Sequence, residues 1–520
     1  MSLSNQTVQQ VKTLKESSII VDTRRTISTI DEKIYSGFVE HLGRCIYGGL
    51  VDYSENPKCK VNEKGYREDV SQAIKDLNMP VVRWPGGNFV SSYHWIDGVG
   101  PKEDRPRRPE LAWLGEESNQ FGTDEFMEWC EYMDVEPYFC LNMGTGTLDE
   151  ALAWIEYCNS TANTHYANLR RKNGHPEPYN VKYWGLGNEV WGPWQVGQMT
   201  QEDYSKKAAE WAKAIKLLDP SVKLISCGCT GIDNWDHYVL DKLINWVDYH
   251  SIHIYTANSD YMKNVTAPVA AEAAIQVTKN LIDLATTQNP PKPNGLTIFS
   301  SEFKKVKICF DEWNVWDPTR ADGTQGAEEQ YTLSDALAVA SWLNVFVRQS
   351  ESLGMCNIAQ VVNVIAPIMT NESSMFLQTT YYPLKLFSNF MRGKTLNLHV
   401  ESTMYEGDTG NNDGTLTWIK NNYATPLLDV SAAQNGDKTY IAVVNRCKNE
   451  DSKTKISFNS KVVKIHAWKL YHDDIMAYND FENPNKIQLE ESDIDFQQAE
   501  DFNLTLEFPK HSFTMLEINY

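Results

Sequence analysis

The chain has 520 residues, with 48 basic and 69 acidic side chains giving a formal charge of −21. Its 42% hydrophobic and 22% charged residues are the proportions of a soluble globular protein, and the length suits one large domain plus a smaller one. The excess of negative charge argues against nucleic acid or another polyanion as partner. No apolar run reaches the roughly 18 residues of a membrane-spanning helix.

The N-terminus is polar and lacks the apolar core of a signal peptide, which predicts a cytoplasmic protein. Residues 18–30 read as two short strands of β-branched residues. A third, Ile34 to Val39, ends in Glu40 and His41. Val70, Ile74 and Leu77 then mark one face of a helix. Met79 to Trp84 is strand-like and contains Arg83, and Pro85-Gly86-Gly87 closes it in a turn before Asn88. A helix follows from Thr123, with Phe126, Met127, Cys130 and Met133 as its apolar stripe.

Pro137 to Leu141 is the next strand. Thr147 and Glu150 have capping-box spacing and open a helix to Asn159. Val181 to Leu186 is a buried-type run ending in Asn188 and Glu189. Thr200 and Asp203 start a helix that Asp219-Pro220 stops. Val222 to Ser226 and Val247 to Tyr255 are strands, the second bearing His253 and Tyr255. Helical stretches at 264–288 and 332–353 bracket a strand at Val306 to Phe310, which leads into Asp311-Glu312-Trp313-Asn314. Asn357 to Ile365 is the last strand of this series and carries Gln360.

Strands and helices thus alternate eight times between about 34 and 385, the signature of a (β/α)8 TIM barrel. An open doubly wound sheet also alternates, but gathers its ligand groups at one switch point. Here polar groups end nearly every strand, and a barrel brings such ends to one face. Past about 390, short alternating segments separated by Asn, Asp and Gly turns predict an antiparallel β-sandwich completed by strands from the N-terminus. The expected division is a catalytic barrel at 27–390 and a sandwich of 391–520 plus 1–26.

Ten cysteines are scattered without zinc-finger spacing, so buried free thiols are expected and no metal. The oxygen-rich stretch Glu406 to Gly414 fits no EF-hand and reads as a polar loop. Sixteen Trp and twenty-five Tyr offer flat faces suited to sugars, although most should serve as core.

The chemistry centres on Glu189 and Glu312. Each follows a buried-type strand, with an Asn and a Trp close by. Glycosidic bond cleavage needs one carboxyl group to protonate the leaving oxygen and another to meet the developing oxocarbenium ion. A glutamate that acts as acid must stay protonated near neutrality, and a facing carboxylate helps to keep it so. Either glutamate alone is read as readily as an ordinary strand-end residue. Glu40, Asn88, Asn188 and Gln360 supply hydrogen-bonding groups for hydroxyls, and Arg83 a charged fork. His253 and Tyr255 lie two apart on a strand and so point the same way, while His250 points oppositely.

Five ordered motifs carry a family resemblance: Gly37 to Arg44, Val82 to Asn88, Gly185 to Glu189, Asp311 to Asn314, and Gln360 to Thr370. Together they resemble the α-L-arabinofuranosidases of glycoside hydrolase family 51, over almost the whole chain. The resemblance implies a retaining, two-step mechanism on a barrel with a jelly-roll-like second domain. It implies Glu189 as general acid/base and Glu312 as nucleophile. Glu40, Arg83, Asn88, Asn188, Tyr255 and Gln360 would surround the furanose in the −1 pocket, His253 would lie near the nucleophile strand, and Trp113 and Trp316 near the leaving group. It further implies terminal α-L-arabinofuranosyl units of oligosaccharides as substrate, no cofactor, and a homo-oligomer, with a hexamer favoured. The runner-up readings are an endo-acting glucanase or xylanase on the same barrel, and a carbohydrate-binding protein without activity.

Overall fold

The computed structural model describes residues 16–290, 305–409 and 424–520. Eight parallel strands close into a barrel: β1 (Ser36–Phe38), β2 (Val81–Trp84), β3 (Glu136–Cys140), β4 (Tyr183–Leu186), β5 (Lys223–Ser226), β6 (Tyr249–Thr256), β7 (Lys307–Val315) and β8 (Leu353–Ala359). Each pairs with its neighbours in sequence, and β8 closes on β1 through Asn357–Ser36 to Ala359–Phe38. Val81, Tyr138, Tyr183, Ile225, Cys309 and Met355 fill part of the interior, so the barrel is a packed core and not a pore.

Several boundaries differ from expectation, each for a local reason. β1 is shorter than predicted because Glu32–Tyr35 winds into a 3-10 turn capped by Asp31. The predicted helix at 264–288 is two helices, Tyr261–Thr266 and Val269–Gln288, broken at Ala267-Pro268, where the proline lacks a backbone donor. The helix expected at 332–353 stops at Arg348, and the chain turns into β8 from Leu353. β8 therefore ends at Ala359, and residues 360–365 leave the sheet, with Asn363 and Ile365 at positive φ. β7 runs on through Glu312 to Val315 because Trp313 and Val315 are buried and continue its pairing with β6. The capping box at Thr147 is half made: its hydroxyl accepts from the Glu150 amide at 3.2 Å, but the Glu150 carboxylate turns to His94 at 2.9 Å.

Two further sheets form the sandwich. A seven-stranded sheet runs, in order, through residues 26–29, 394–396, 428–435, 438–445, 512–519, 464–470 and 490–493. The other has four strands, at 399–401, 17–21, 452–458 and 503–508. Both N-terminal strands join these sheets. Thr26–Thr29 straddles the boundary expected at residue 27, and Ser17–Val21 pairs in parallel with Ser452–Phe458. Alternating residues such as Ile19, Val430, Ile441, Ile456 and Leu516 meet between the sheets.

The outer face of the larger sheet packs on the barrel. Helix Leu333–Arg348 is held between the two, which is why residues 333–347 are buried on every side. Each large apolar side chain buried this way contributes about 1.5–3 kcal/mol. Asp429 of the sheet accepts hydrogen bonds from Asn344 and Arg348 of this helix, both at 2.9 Å, and faces Arg446 at 3.2 Å. Phe387 stacks on Phe513, and Phe390 on Trp468.

All ten cysteines are free and nine are buried. Among the described residues no helix is long and apolar enough to cross a membrane. The stretch from Glu406 to Gly414 lies only partly within the described residues, and the polar N-terminus up to residue 15 lies outside them.

Candidate active site

The carboxyl ends of the barrel strands surround a cavity of about 680 Å³. Glu40, Asn88, Trp113, Glu189, His253, Tyr255, Glu312, Trp316 and Gln360 all line it. Arg83 and Asn188 do not line the cavity. They lie beneath it, each 1% exposed, and support the residues that do.

Glu312 faces the cavity because β7 carries an extra residue. Ser251 pairs with Cys309 and His253 with Glu312, so three residues of β7 span two of β6, and the same offset recurs against β8. Such a bulge re-aims side chains. Consecutive residues of a regular strand face opposite ways, yet here both Asp311 and Glu312 reach groups inside the barrel. Arg83 Nη1 donates to Glu312 Oε1 at 2.7 Å and Tyr255 Oη to Oε2 at 2.8 Å. Arg83 Nη2 donates to Asn188 Oδ1, also at 2.7 Å, so one guanidinium ties β7 to the end of β4.

Glu189 stands opposite, in the left-handed region at φ 44°, just after Gly187 at φ 85°. For a long side chain that backbone is uncommon and persists only where its surroundings enforce it. Its Oε1 lies 2.9 Å from His253 Nδ1, and its Oε2 accepts from Trp194 Nε1 at 3.1 Å. One ligand atom each from Glu189, His253 and Glu312 all fall within 4.8 Å of one another.

Glu40 lines another part of the wall. Its carboxylate accepts from the Phe89 amide at 3.0 Å, Gln360 Nε2 at 2.9 Å and Trp113 Nε1 at 3.2 Å. A Cβ at Gly87 would sit 2.6 Å from Glu40 Oε2, so only glycine lets the turn lie this close. Trp316 packs edge-on against Tyr255, with ring centroids 5.3 Å apart.

Burial pushes the Glu40 carboxyl up to about 8, helped by the charge of Glu312. Burial also drives Glu312 upward, with Glu189 adding to it, while His253 and Arg83 pull it down. For His253, burial opposes a charge, but Glu312 and Asp311 outweigh it and raise the imidazole to about 10. Asp311 is held well below the ordinary carboxylate range: the charges of Arg83 and His253 overcome its burial. The three clustered groups have the types of atom a cation needs. Both ring nitrogens of His253 are engaged by carboxylates, Nδ1 by Glu189 and Nε2 by Asp311, which is the arrangement of a proton network.

Among the residues that were not expected at the site, Trp194, Gln195 and Asp311 make polar contacts there. Trp194 is 57% exposed at the rim and touches Glu189, five positions along the chain. Gln195 lines the cavity, its Nε2 bonded to Ser91. Asp311, part of a quoted motif, proves to sit under His253. A lone Trp or Gln in a loop carries no sequence signal for such a place. A second cavity, of about 740 Å³, opens beside His94, Asp97, Arg108 and Glu150, where Arg108 pairs with Asp97 and His94 with Glu150.

Two carboxyl groups so close, one held from below by a charged fork and the other beside an open rim, can perform acid and nucleophile chemistry on a sugar seated between them. Comparison with known proteins agrees. Residues 73–270 match the family profile described as alpha-L-arabinofuranosidase 1 domain, and residues 311–512 the alpha-L-arabinofuranosidase C-terminal domain. A protein of Aspergillus clavatus named "Probable alpha-L-arabinofuranosidase C" is 54% identical over 513 residues, covering 96% of each chain. An "Intracellular exo-alpha-(1->5)-L-arabinofuranosidase" of Acetivibrio thermocellus is 35% identical, covering 92% of this chain and 94% of its own. The solved structure of the thermostable GH51 alpha-L-arabinofuranosidase from Thermotoga petrophila RKU-1 superposes with a TM-score of 0.85 at 38% identity, over 97% of this chain and all of that one. The chain belongs to the α-L-arabinofuranosidases of glycoside hydrolase family 51 and is a glycosidase.

Proposed function

We propose that the enzyme removes terminal non-reducing α-L-arabinofuranosyl units from arabinan- or arabinoxylan-derived oligosaccharides with retention, Glu312 acting as nucleophile and Glu189 as general acid/base. The observation that carries this reading is the approach of the two carboxylates, one oxygen of each within 4.8 Å of the other. Retaining glycosidases hold their carboxyl groups about 5–5.5 Å apart, whereas inverting ones leave a wider gap for water. Glu312 is gripped by Arg83 and Tyr255, two donors to the nucleophile, and the Arg83 charge opposes the upward push of burial on its carboxyl. Glu189 meets the exposed Trp194 at the rim, as a group serving a departing sugar should.

Glu40, Asn88 and Gln360 are the cavity's hydroxyl-binding groups in this reading, with Arg83 and Asn188 supporting them from below. Trp113 and Trp316 are the aromatic walls on the leaving-group side in this reading. A cavity walled by Trp113, Tyr255 and Trp316 favours release of one terminal sugar over cutting within a glucan or xylan chain. The division into a catalytic barrel at 27–390 and a sandwich of 391–520 plus 1–26 belongs to the same reading. So do a cytoplasmic location, supported by the relative named intracellular, and a homo-oligomer, with a hexamer favoured, which light scattering would test.

The deciding experiment compares hydrolysis of p-nitrophenyl α-L-arabinofuranoside with the β-D-xylopyranoside and the β-D-glucopyranoside. Strong preference for the arabinofuranoside, with the first-formed sugar retaining its configuration by NMR, is expected. Preference for a pyranoside, or an inverted product, would overturn the assignment.

A further inference from the structure

Resting on that reading of Glu189, we propose that Asp311 is a positioning residue that keeps His253 doubly protonated, with its Nδ1–H on Glu189 Oε1. The proton that Glu189 delivers is thereby confined to Oε2, on the leaving-group side.

Asp311 touches no cavity surface and is 1% exposed. The bulge in β7 turns its carboxylate to the barrel interior, where three other strands meet it. Tyr138 Oη donates to Oδ2 at 2.7 Å, Arg83 Nε lies 3.7 Å from the same oxygen, and the Ser251 hydroxyl donates to Oδ1. His253 Nε2 is 3.1 Å from Oδ1. A carboxylate so surrounded by donors stays charged, and a charged acceptor at Nε2 requires that nitrogen to carry hydrogen.

The other ring nitrogen decides the chemistry. Nδ1 lies 2.9 Å from Glu189 Oε1 and 3.6 Å from Glu312 Oε2. If Nδ1 carries hydrogen, Oε1 can only accept, and the acid proton of Glu189 resides on Oε2. That oxygen faces the Trp194 indole at 3.1 Å, on the exposed rim. If Nδ1 were bare it would accept, and the acid proton would be drawn to Oε1, away from the bond to be broken. The Asp311 charge favours the first arrangement because it stabilises the imidazolium.

The proton inventory then closes over both steps. In the first, the Oε2 proton passes to the glycosidic oxygen as its bond to the anomeric carbon breaks and the bond from Glu312 forms. In the second, water attacks that carbon, its proton goes to Oε2, and the Glu312 ester bond breaks. His253 and Asp311 end each step as they began it.

The test is Asp311→Asn, which keeps shape and removes charge, assayed on α-L-arabinofuranosides bearing good (2,4-dinitrophenyl) and poor (methyl) leaving groups. General acid catalysis is worth roughly 10²–10⁴-fold. We expect kcat/KM to fall at least about a hundredfold on the methyl glycoside and less than about tenfold on the dinitrophenyl one. Equal losses on both would mark a structural role and overturn the proposal. Tyr138→Phe removes a partner of Asp311 but not its charge, and should leave the ratio of the two rates unchanged. An equal change in that ratio would overturn the proposal too. Should Asp311→Asn not fold, 15N NMR of histidine-labelled wild-type protein, with His253→Ala for assignment, reads the same point. Two protonated ring nitrogens at pH 7 are expected, and a neutral ring refutes the idea. Wild-type protein inert on every arabinofuranoside would instead sink the parent reading.

Discussion

Tyr255→Phe isolates one hydrogen bond at the nucleophile. The hydroxyl donates to Glu312 Oε2 at 2.8 Å, and no other bond to it is seen among the described residues. Phenylalanine keeps the ring and its edge contact with Trp316, so no cavity opens and the fold has no reason to change. A hydrogen bond to a charged group is worth about 1.5–3 kcal/mol. If the whole of it acts on the ionised nucleophile, kcat/KM falls by roughly 10- to 150-fold, at about 1.4 kcal/mol per decade. The sign of the pH effect follows. A donor favours the charged carboxylate, so its loss raises the pKa of Glu312 and moves the acidic limb of kcat/KM to higher pH. The assay is p-nitrophenyl α-L-arabinofuranoside hydrolysis from pH 3 to 9, beside a thermal melt. A loss below threefold, or a melting temperature lowered in step with activity, would refute the argument.

Glu312→Ala should abolish turnover on every substrate, because no covalent intermediate can form. Glu189→Ala should spare the first step for a nitrophenyl leaving group and gain rate from added azide; equal loss on good and poor leaving groups would count against its role. Stability should also fall in acid. Asp429 is fully buried, and the charges of Arg348 and Arg446 overcome that burial and hold its carboxyl below the ordinary value. A depressed folded pKa contributes stability that is complete above the unfolded value near 4 and is lost as pH falls through the folded one. Urea melts should therefore show the Asp429 contribution, read as wild type minus Asp429→Asn, constant from pH 7 to 5 and declining below about 4. A difference that does not decline in acid would remove Asp429 as a source of the loss.

The barrel was legible because its signals are local. Val181 to Leu186 and Pro137 to Leu141 are apolar runs of strand length, Thr147 and Thr200 each stand immediately before a helix, and Thr123 is the first residue of another. Errors arose where a tertiary neighbour overrode the local pattern. The polar residues Asp311, Glu312 and Asn314 look like the end of a strand, but pairing with β6 carries β7 past them. Glu150 looks like half of a capping box, yet His94, distant in sequence, takes its carboxylate.

What residue order determined by itself was the inventory: two glutamates after buried strands, the hydroxyl-binding groups, the apolar periods that fold them, and the motifs that reveal the family. These follow from propensity and patterning within about ten residues of chain. Only the tertiary structure decided how the inventory is used. It set Arg83 and Asn188 beneath the cavity, brought Trp194 to Glu189, and placed Asp311 under His253. The placing of Arg83 beneath the cavity depends on closing the barrel, and that of Asp311 under His253 also on one extra residue in β7. A closed sheet juxtaposes strands more than a hundred residues apart in sequence, and a bulge changes which side of a strand a residue faces. Neither leaves a trace in the spacing of side chains along the chain.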